Sequence, residues 1–235
     1  MCPHHGWRAP CHSGSRLSKR MAMSDIIIAV DGPAASGKGT IAKALANHYG
    51  LPHMDTGMLY RSVALALWRF GGNAGNEFEA LRAVEGIEQI DPGDEELRSE
   101  TIGKLASKVS AYPSVREALL ERQHGFARQE GGAVLDGRDI GTVICPDASA
   151  KLFVTATPEI RAQRRHKELT GRGVDAHYDD ILIDIRARDE RDAGRDAAPL
   201  VQAKDADLLD TSDLTIERAV QRAIALVEAR LQASR

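Results

Sequence analysis

Asp31-Gly32-Pro33-Ala34-Ala35-Ser36-Gly37-Lys38-Gly39-Thr40 follows directly on the apolar run Ile26-Ile27-Ile28-Ala29-Val30. The stretch fits G-x-x-x-x-G-K between a buried-type strand and a helical pattern in which Ile41, Leu45 and Ala46 share one face. Backbone N–H groups of such a loop point inward and cradle a phosphate chain. The helix beginning at Lys38 adds the positive end of its dipole, and the lysine adds a mobile charge. Glycines at 32, 37 and 39 let the backbone approach where a Cβ would collide. Gly39 stands where the common motif carries the Ser or Thr that holds Mg²⁺, and the hydroxyl comes one residue later, at Thr40. A Gly/Ala-rich turn that binds nothing is the plain alternative, and the two correct flanks argue against it. Residues 32–40 are therefore expected to bind the phosphates of a nucleoside triphosphate, with Thr40 a candidate Mg²⁺ ligand.

Outward from this loop the chain alternates strand and helix. Residues 51–55 read as a short second strand after Gly50, and Thr56-Gly57 opens a helix with Leu59, Val63, Leu65 and Leu67 apolar. Residues 133–136 and 150–156 read as third and fourth strands, and Thr157-Pro158 starts a helix with Thr as N-cap. A helix over residues 181–192, a fifth strand at 206–210 and an amphipathic helix over 215–231 follow, the last with Ile216, Val220, Ile224 and Val227 inward. Five repeats of this rhythm predict an α/β fold, a five-stranded parallel sheet with helices on both faces. Ligands of such sheets bind at the C-terminal strand ends. Asp55-Thr56-Gly57 and Asp136 fall on that edge. Asp136, closing an apolar strand, is placed either to orient Mg²⁺ through water or to cap a loop.

Between about residues 71 and 113 the rhythm lapses, which predicts a short, mobile excursion, weakly helical over 97–110. Residues 115–129 then form a helix with Ser114 as N-cap. Residues 1–23 are rich in His, Ser, Arg and Gly and lack both periodicity and the apolar core of a signal peptide. They are expected to be a disordered leader ahead of one domain over 24–235, with Met21 and Met23 as candidate starts. Cys2, His4, His5, Cys11 and His12 match no zinc spacing.

Composition narrows the function classes. Among 235 residues, 43% hydrophobic, one substantial core is possible. Aromatics at 4% disfavour base-stacking on single strands, and a net charge of −3 removes any global pull toward nucleic acid or anionic membrane. No run reaches the length of a membrane span. Cys2, Cys11 and Cys145 have no framework spacing, so a reducing, cytoplasmic setting fits. Nothing demands a partner protein, and a monomer is expected.

The acceptor is read from the cations. An alcohol acceptor needs a carboxylate base, whereas a monophosphate needs cations that hold two anions end to end. Arg61, Arg116, Arg138, Arg188 and Arg195, each in a block with Gly, Asp or Tyr, supply forks that stay charged. The run Arg161, Arg164, Arg165, Lys167 ahead of Gly171-Arg172-Gly173 contains more arginine than helix pairing needs, and the glycines permit a hinge. His48, His53, His124, His166 and His177 show no ligand pairing.

From residue 26 to the C-terminal helix these blocks together resemble the bacterial cytidylate kinases. The matching stretches are residues 31–40, Asp55-Thr56-Gly57-Met58-Leu59-Tyr60-Arg61, Val115-Arg116-Glu117-Ala118-Leu119-Leu120, Asp136-Gly137-Arg138-Asp139-Ile140-Gly141-Thr142-Val143 and Arg188-Asp189-Glu190-Arg191-Asp192, extended by Gly194-Arg195 and Ala198-Pro199-Leu200. The resemblance implies phosphoryl transfer from ATP·Mg²⁺ to CMP or dCMP, giving ADP and CDP or dCDP. It places Ser107, Arg116 and Asp139 on cytosine, and Tyr60, Arg188 and Asp192 on the ribose. Arg61, Arg138 and Arg195 fall on the acceptor phosphate, Thr56 is a further CMP contact, and Lys38 bridges donor phosphates and transferred group. It implies a nucleotide-gripping excursion, reduced here, at 71–113 and a short lid near 161–180. Ala34 stands where some members have a hydroxyl, and Thr56 replaces the more familiar Ser. The rivals are another small P-loop kinase, acting on UMP, another monophosphate or a shikimate-type acid, and a non-catalytic ATP-binding switch. No Asn-Lys-x-Asp base-reading motif supports a guanine-specific switch.

Overall fold

Six residues, Ile26–Asp31, form the central strand β1 of a computed structural model that describes residues 25–233; the expected leader and its candidate starts lie outside the described residues. Side chains of β1 alternate as a strand buried on both faces requires: Ile28 and Val30 join one core cluster and Ala29 another. Around β1 lie β2 (His53–Asp55), β3 (Gly132–Gly137), β4 (Ala150–Thr155) and β5 (Asp207–Asp210), all parallel, in the order β2-β3-β1-β4-β5. The expected five-stranded sheet is present. Gly132 (φ +91°) admits the close start of β3 beside β1, because a Cβ there would come within 2.1 Å of the Ile26 carbonyl oxygen.

Helix α1 (Lys38–Tyr49) and the C-terminal helix (Ile216–Ala233) cover one face through Ile41, Leu45, Ala219, Ala223 and Val227. Of the inward row expected in the latter, Val227 is buried and Val220 and Ile224 pack half-buried against the same core, while Ile216 does not. Ile216 is 64% exposed, and the buried row is Ala219, Ala223 and Val227, whose small members let the helix sit close to the sheet.

The excursion contains no strand, as expected, yet it is far more helical than the sequence suggested. Between α2 (Thr56–Arg69) and the helix at Pro113–Ala127 lie α3 (Glu77–Ala83), α4 (Glu100–Val109) and two 3₁₀ turns, Val84–Gln89 and Glu95–Arg98. Side chains of Asn76, Asp94 and Ser99 cap three of these pieces. All pack into one core through Val63, Leu67, Leu97, Ile102, Val109 and Leu119. Helix α5 (Pro113–Ala127) begins at a proline after Tyr112, and the expected cap Ser114 instead donates its hydroxyl to Glu77 Oε1 at 2.6 Å. Helix α6 (Pro158–Gly171) carries the expected Thr157 cap, and α7 (Tyr178–Ala193) starts at 178 rather than 181. The C-terminal helix is thus α8.

Register fixes the site. Asp31 pairs with Gly137 and Asp55 with Asp136, so β1, β2 and β3 end level and their following loops share one edge.

Candidate active site

The phosphate loop leaves β1 at Gly32, where a Cβ would fall 2.0 Å from the Val154 carbonyl oxygen. Ala35 (φ 58°) and Gly37 (φ 88°) take left-handed conformations that turn the chain into α1. Arg161 and Arg164 brace the loop from α6: Arg161 Nη1 donates to Ala34 O at 3.2 Å and Arg164 Nη1 to Ser36 O at 3.4 Å. Arg161 is buried and also holds Asp189 through both terminal nitrogens, at 3.0 and 2.5 Å. Arg164 grips Thr211 O at 2.6 Å. The sequence places both in a lid; in the structure they tie that helix to the phosphate loop, Arg161 with its charge matched by Asp189 and Arg164 with its donors on Ser36 and Thr211. The buried Ser36 hydroxyl has no partner among the described residues.

Lys38 reaches back toward Pro33 O at 3.4 Å, and its ammonium faces Asp55 and Asp136. Burial, and next the nearby Arg138 guanidinium, lower its pKa to about 8. Burial raises the Asp55 carboxyl, and the Asp136 charge adds to the shift. Asp136 Oδ1 lies 2.7 Å from His53 Nε2, so one histidine read as unengaged is in fact a partner of the acidic site. Thr56 Oγ1 donates to Asp136 O at 2.9 Å. Thr40 is exposed and outside the cleft; the α1 residue facing Asp136 is Gly39, whose Cβ position lies 3.8 Å from Oδ2. The hydroxyl at 40 is therefore one helical position away from the acids, a correction to its reading as a metal ligand. Asp55, unassigned from sequence, lines the cleft.

Facing this floor, three guanidinium groups surround one carboxylate. Arg138 Nε and Arg195 Nη2 donate to Asp192 at 2.9 and 2.5 Å, and Arg188 Nε stands 3.7 Å from it. Three positive groups against one negative leave a surplus of two. The Nε–H groups of Arg188 and Arg195 are buried without hydrogen-bond partners among the described residues, and both side chains line the cleft. Burial, with Arg138 next, lowers Arg188 to about 10. Burial alone would raise Asp192, yet Arg138, Arg195 and Arg188 together hold it below the ordinary carboxylate value. Arg61 also lines the cleft, while its Nη1 donates to Leu97 O at 2.6 Å and Ser99 O at 3.2 Å.

At the far end Arg116 forms an ion pair with Asp139 and lies 5.9 Å over the Tyr60 ring. Burial raises the Asp139 carboxyl despite that pairing. Ala106 and Ser110 of the α4 end line this region; Ser110 Oγ accepts from Arg195 Nη2 at 3.0 Å. Ser107, the residue expected here, is buried behind them, and its hydroxyl has no partner among the described residues. Beside the cleft, Lys104 bridges to Asp184 at 2.6 Å and Arg165 pairs with Glu100, joining α4 to α7 and α6.

A sequence model described as cytidylate kinase matches residues 28–229. A cytidylate kinase of Xanthobacter autotrophicus is 58% identical over 205 residues, covering 87% of this chain and 98% of its own, and one of Rhodopseudomonas palustris is 56% identical over 204, covering 87% and 96%. An uncharacterized protein of Eubacterium ventriosum, solved by crystallography, aligns over 87% of this chain and 99% of its own with a TM-score of 0.51 at 15% identity, a likeness of fold alone. Identity above one half across nearly the full length of those relatives settles the kinship: the chain belongs to the cytidylate kinase family.

Proposed function

We propose that the protein transfers the γ-phosphoryl group of ATP to CMP or dCMP. The observation that carries this reading is the pair of anion-binding walls: amide groups and Lys38 on one side, and on the other three guanidiniums with a surplus of two positive charges. That surplus matches a phosphate dianion. The loop 32–40 wraps the donor phosphates, and Lys38 follows the charge as it moves between them. Arg138, Arg188 and Arg195 hold the acceptor phosphate in line, Arg61 adds charge, and no base is required. The Arg116–Asp139 pair reads cytosine: the guanidinium donates to the carbonyl or ring nitrogen, and the carboxylate accepts from the amino group. Tyr60 and Asp192 flank the sugar, and Ser107 stands behind the base end of the cleft.

The acidic pair suits a hard cation that arrives with ATP and keeps several waters. Among the described residues no cluster of three or more ligating side chains builds a resident metal centre. Asp136 and Asp55 would hold Mg²⁺ in that role, and it would neutralise charge shared by the donor phosphates. His53 orients Asp136. The mobile cover is confined to the end of α6 and the turn through Gly173 (φ +76°), because Arg161 and Arg164 anchor the start of that helix. The α2–α4 excursion grips the acceptor. No helix among the described residues is long and apolar enough to cross a membrane, and a monomer in the cytoplasm completes the reading.

A coupled assay across CMP, dCMP, UMP, AMP, dTMP and shikimate tests it. CMP and dCMP are expected to be phosphorylated; turnover confined to another acceptor overturns the reading, and ATP binding without turnover favours the switch.

A further inference from the structure

We infer that Asp31 is a positioning residue for acceptor recognition, its carboxylate locking the backbone behind Arg138 and Asp139 to the strand that feeds the phosphate loop. This rests on the reading of Arg138 and Asp139 as acceptor contacts.

Asp31 closes β1, is 5% exposed, and does not itself line the cleft. Its two oxygens accept separate backbone N–H groups, Ile140 to Oδ1 at 2.8 Å and Gly141 to Oδ2 at 2.7 Å. These residues begin the π-helical turn Ile140–Ile144, which follows Asp139 directly. Bonds within that turn start only later, from Val143 and Ile144 N to Asp139 O and from Cys145 N to Ile140 O. The first two N–H groups therefore have no acceptor inside the turn, and Asp31 takes both. A carboxylate is the short side chain that offers two acceptors and no donor. The fit is close: a Cβ on Gly141 would lie 3.3 Å from Asp31 Oδ2 and 3.1 Å from Lys151 Cδ. Lys151 does not compete, since its ammonium binds Pro146 O at 2.5 Å and Asp205 at 2.7 Å.

The two sides of this link differ in what else supports them. The Asp31 backbone is paired with Gly137 of β3 and Phe153 of β4, so the ladder places the start of the phosphate loop whether or not the carboxylate is present. The turn that follows Asp139 leaves the ladder after Gly137; Ile140 and Ile144 pack its far side into the core, and its first two N–H groups are held by the carboxylate alone. Loss of the carboxylate should then weaken acceptor binding much more than donor binding.

The test compares wild type with Asp31→Asn, which keeps size but turns an amide N–H₂ toward one of the two backbone donors. CMP and a non-hydrolysable ATP analogue are titrated separately by calorimetry, steady-state KM and kcat are measured, and folding is followed by circular dichroism. The expected result is a Kd and KM for CMP raised about tenfold or more, with the ATP constants changed less than about threefold and kcat falling less than KM(CMP) rises. Asp31→Ser, with one acceptor and no bulky donor, is the second variant and should show the same split. Equal weakening of both nucleotides, or a larger effect on ATP, overturns the inference. So does failure of both variants to fold, which would make Asp31 a determinant of folding alone. A wild type that prefers another monophosphate overturns the cytidine reading instead; the same ratio is then measured with that acceptor.

Discussion

Replacing Asp192 by Asn removes the single negative charge from beneath Arg138, Arg188 and Arg195 while keeping the shape of the side chain. Asp192 is 1% exposed and accepts charge-assisted bonds at 2.9 and 2.5 Å, with a third guanidinium 3.7 Å away. Breaking a buried pair by removing one partner costs about 3–5 kcal/mol, and here three cations lose the same counter-charge. For a chain of this size each kcal/mol corresponds to about 2–4 °C, so a Tm fall of about 6–20 °C is expected. Calorimetry with and without saturating CMP measures it, and CMP should restore more Tm to the variant than to wild type, because the acceptor dianion replaces the missing charge. The sign with pH is also set. The folded pKa of Asp192 lies below its unfolded value of 3.8, so its stabilisation is fully present above about pH 4 and is lost as pH falls through the folded pKa. Asp192→Asn should therefore show a shallower acid-side loss of stability. A Tm within about 2 °C of wild type, unchanged by CMP, would refute the charge-cluster account.

Lys38→Ala should lower kcat about a hundredfold or more with circular dichroism unchanged; an unaltered rate removes Lys38 from the chemistry. Asp139→Ala is expected to raise KM for CMP at least about tenfold while KM for ATP moves little, and matched rises would reassign the residue. Gly32→Ala places a methyl 2.0 Å from Val154 O, a contact with backbone that cannot yield, and should cost about 3 kcal/mol or more in denaturant melts. A stability equal to wild type would mean that the loop sits further from β4.

The phosphate loop and the level strand ends were legible because their signals are local: an apolar run, glycines at fixed offsets, a helix start. Helix α7 was harder. Its alternating charges look the same whether the helix is solvated or walls a site, and only the fold sets Arg188 and Asp192 against Arg138, fifty residues earlier in the chain. For the same reason nothing in the sequence signals that Asp192 is the counter-charge of a cation cluster, or that Arg161 and Arg164 brace the phosphate loop. His53 gave no hint of its partner, since the pairing with Asp136 spans two strands. The excursion was under-read because all its pieces but α4 are too brief to show a period, while the caps at Asn76, Asp94 and Ser99 were the signal present. Neither apolar period nor spacing announces the π turn, whose first two N–H groups are met by a carboxylate on a distant strand. In α8, spacing alone turns Ile216 inward, but it is the first residue of the helix and stands 64% exposed.

The links that tie α4 to α6 and α7, Lys104 with Asp184 and Arg165 with Glu100, each include at least one well-exposed partner. Pairs of that kind are worth about 0.2–1 kcal/mol apiece, comparable to thermal agitation, and dissolved ions weaken them. The wall of the cleft is therefore fastened to α6 and α7 at this corner by a loose clasp, one that a rise in ionic strength slackens.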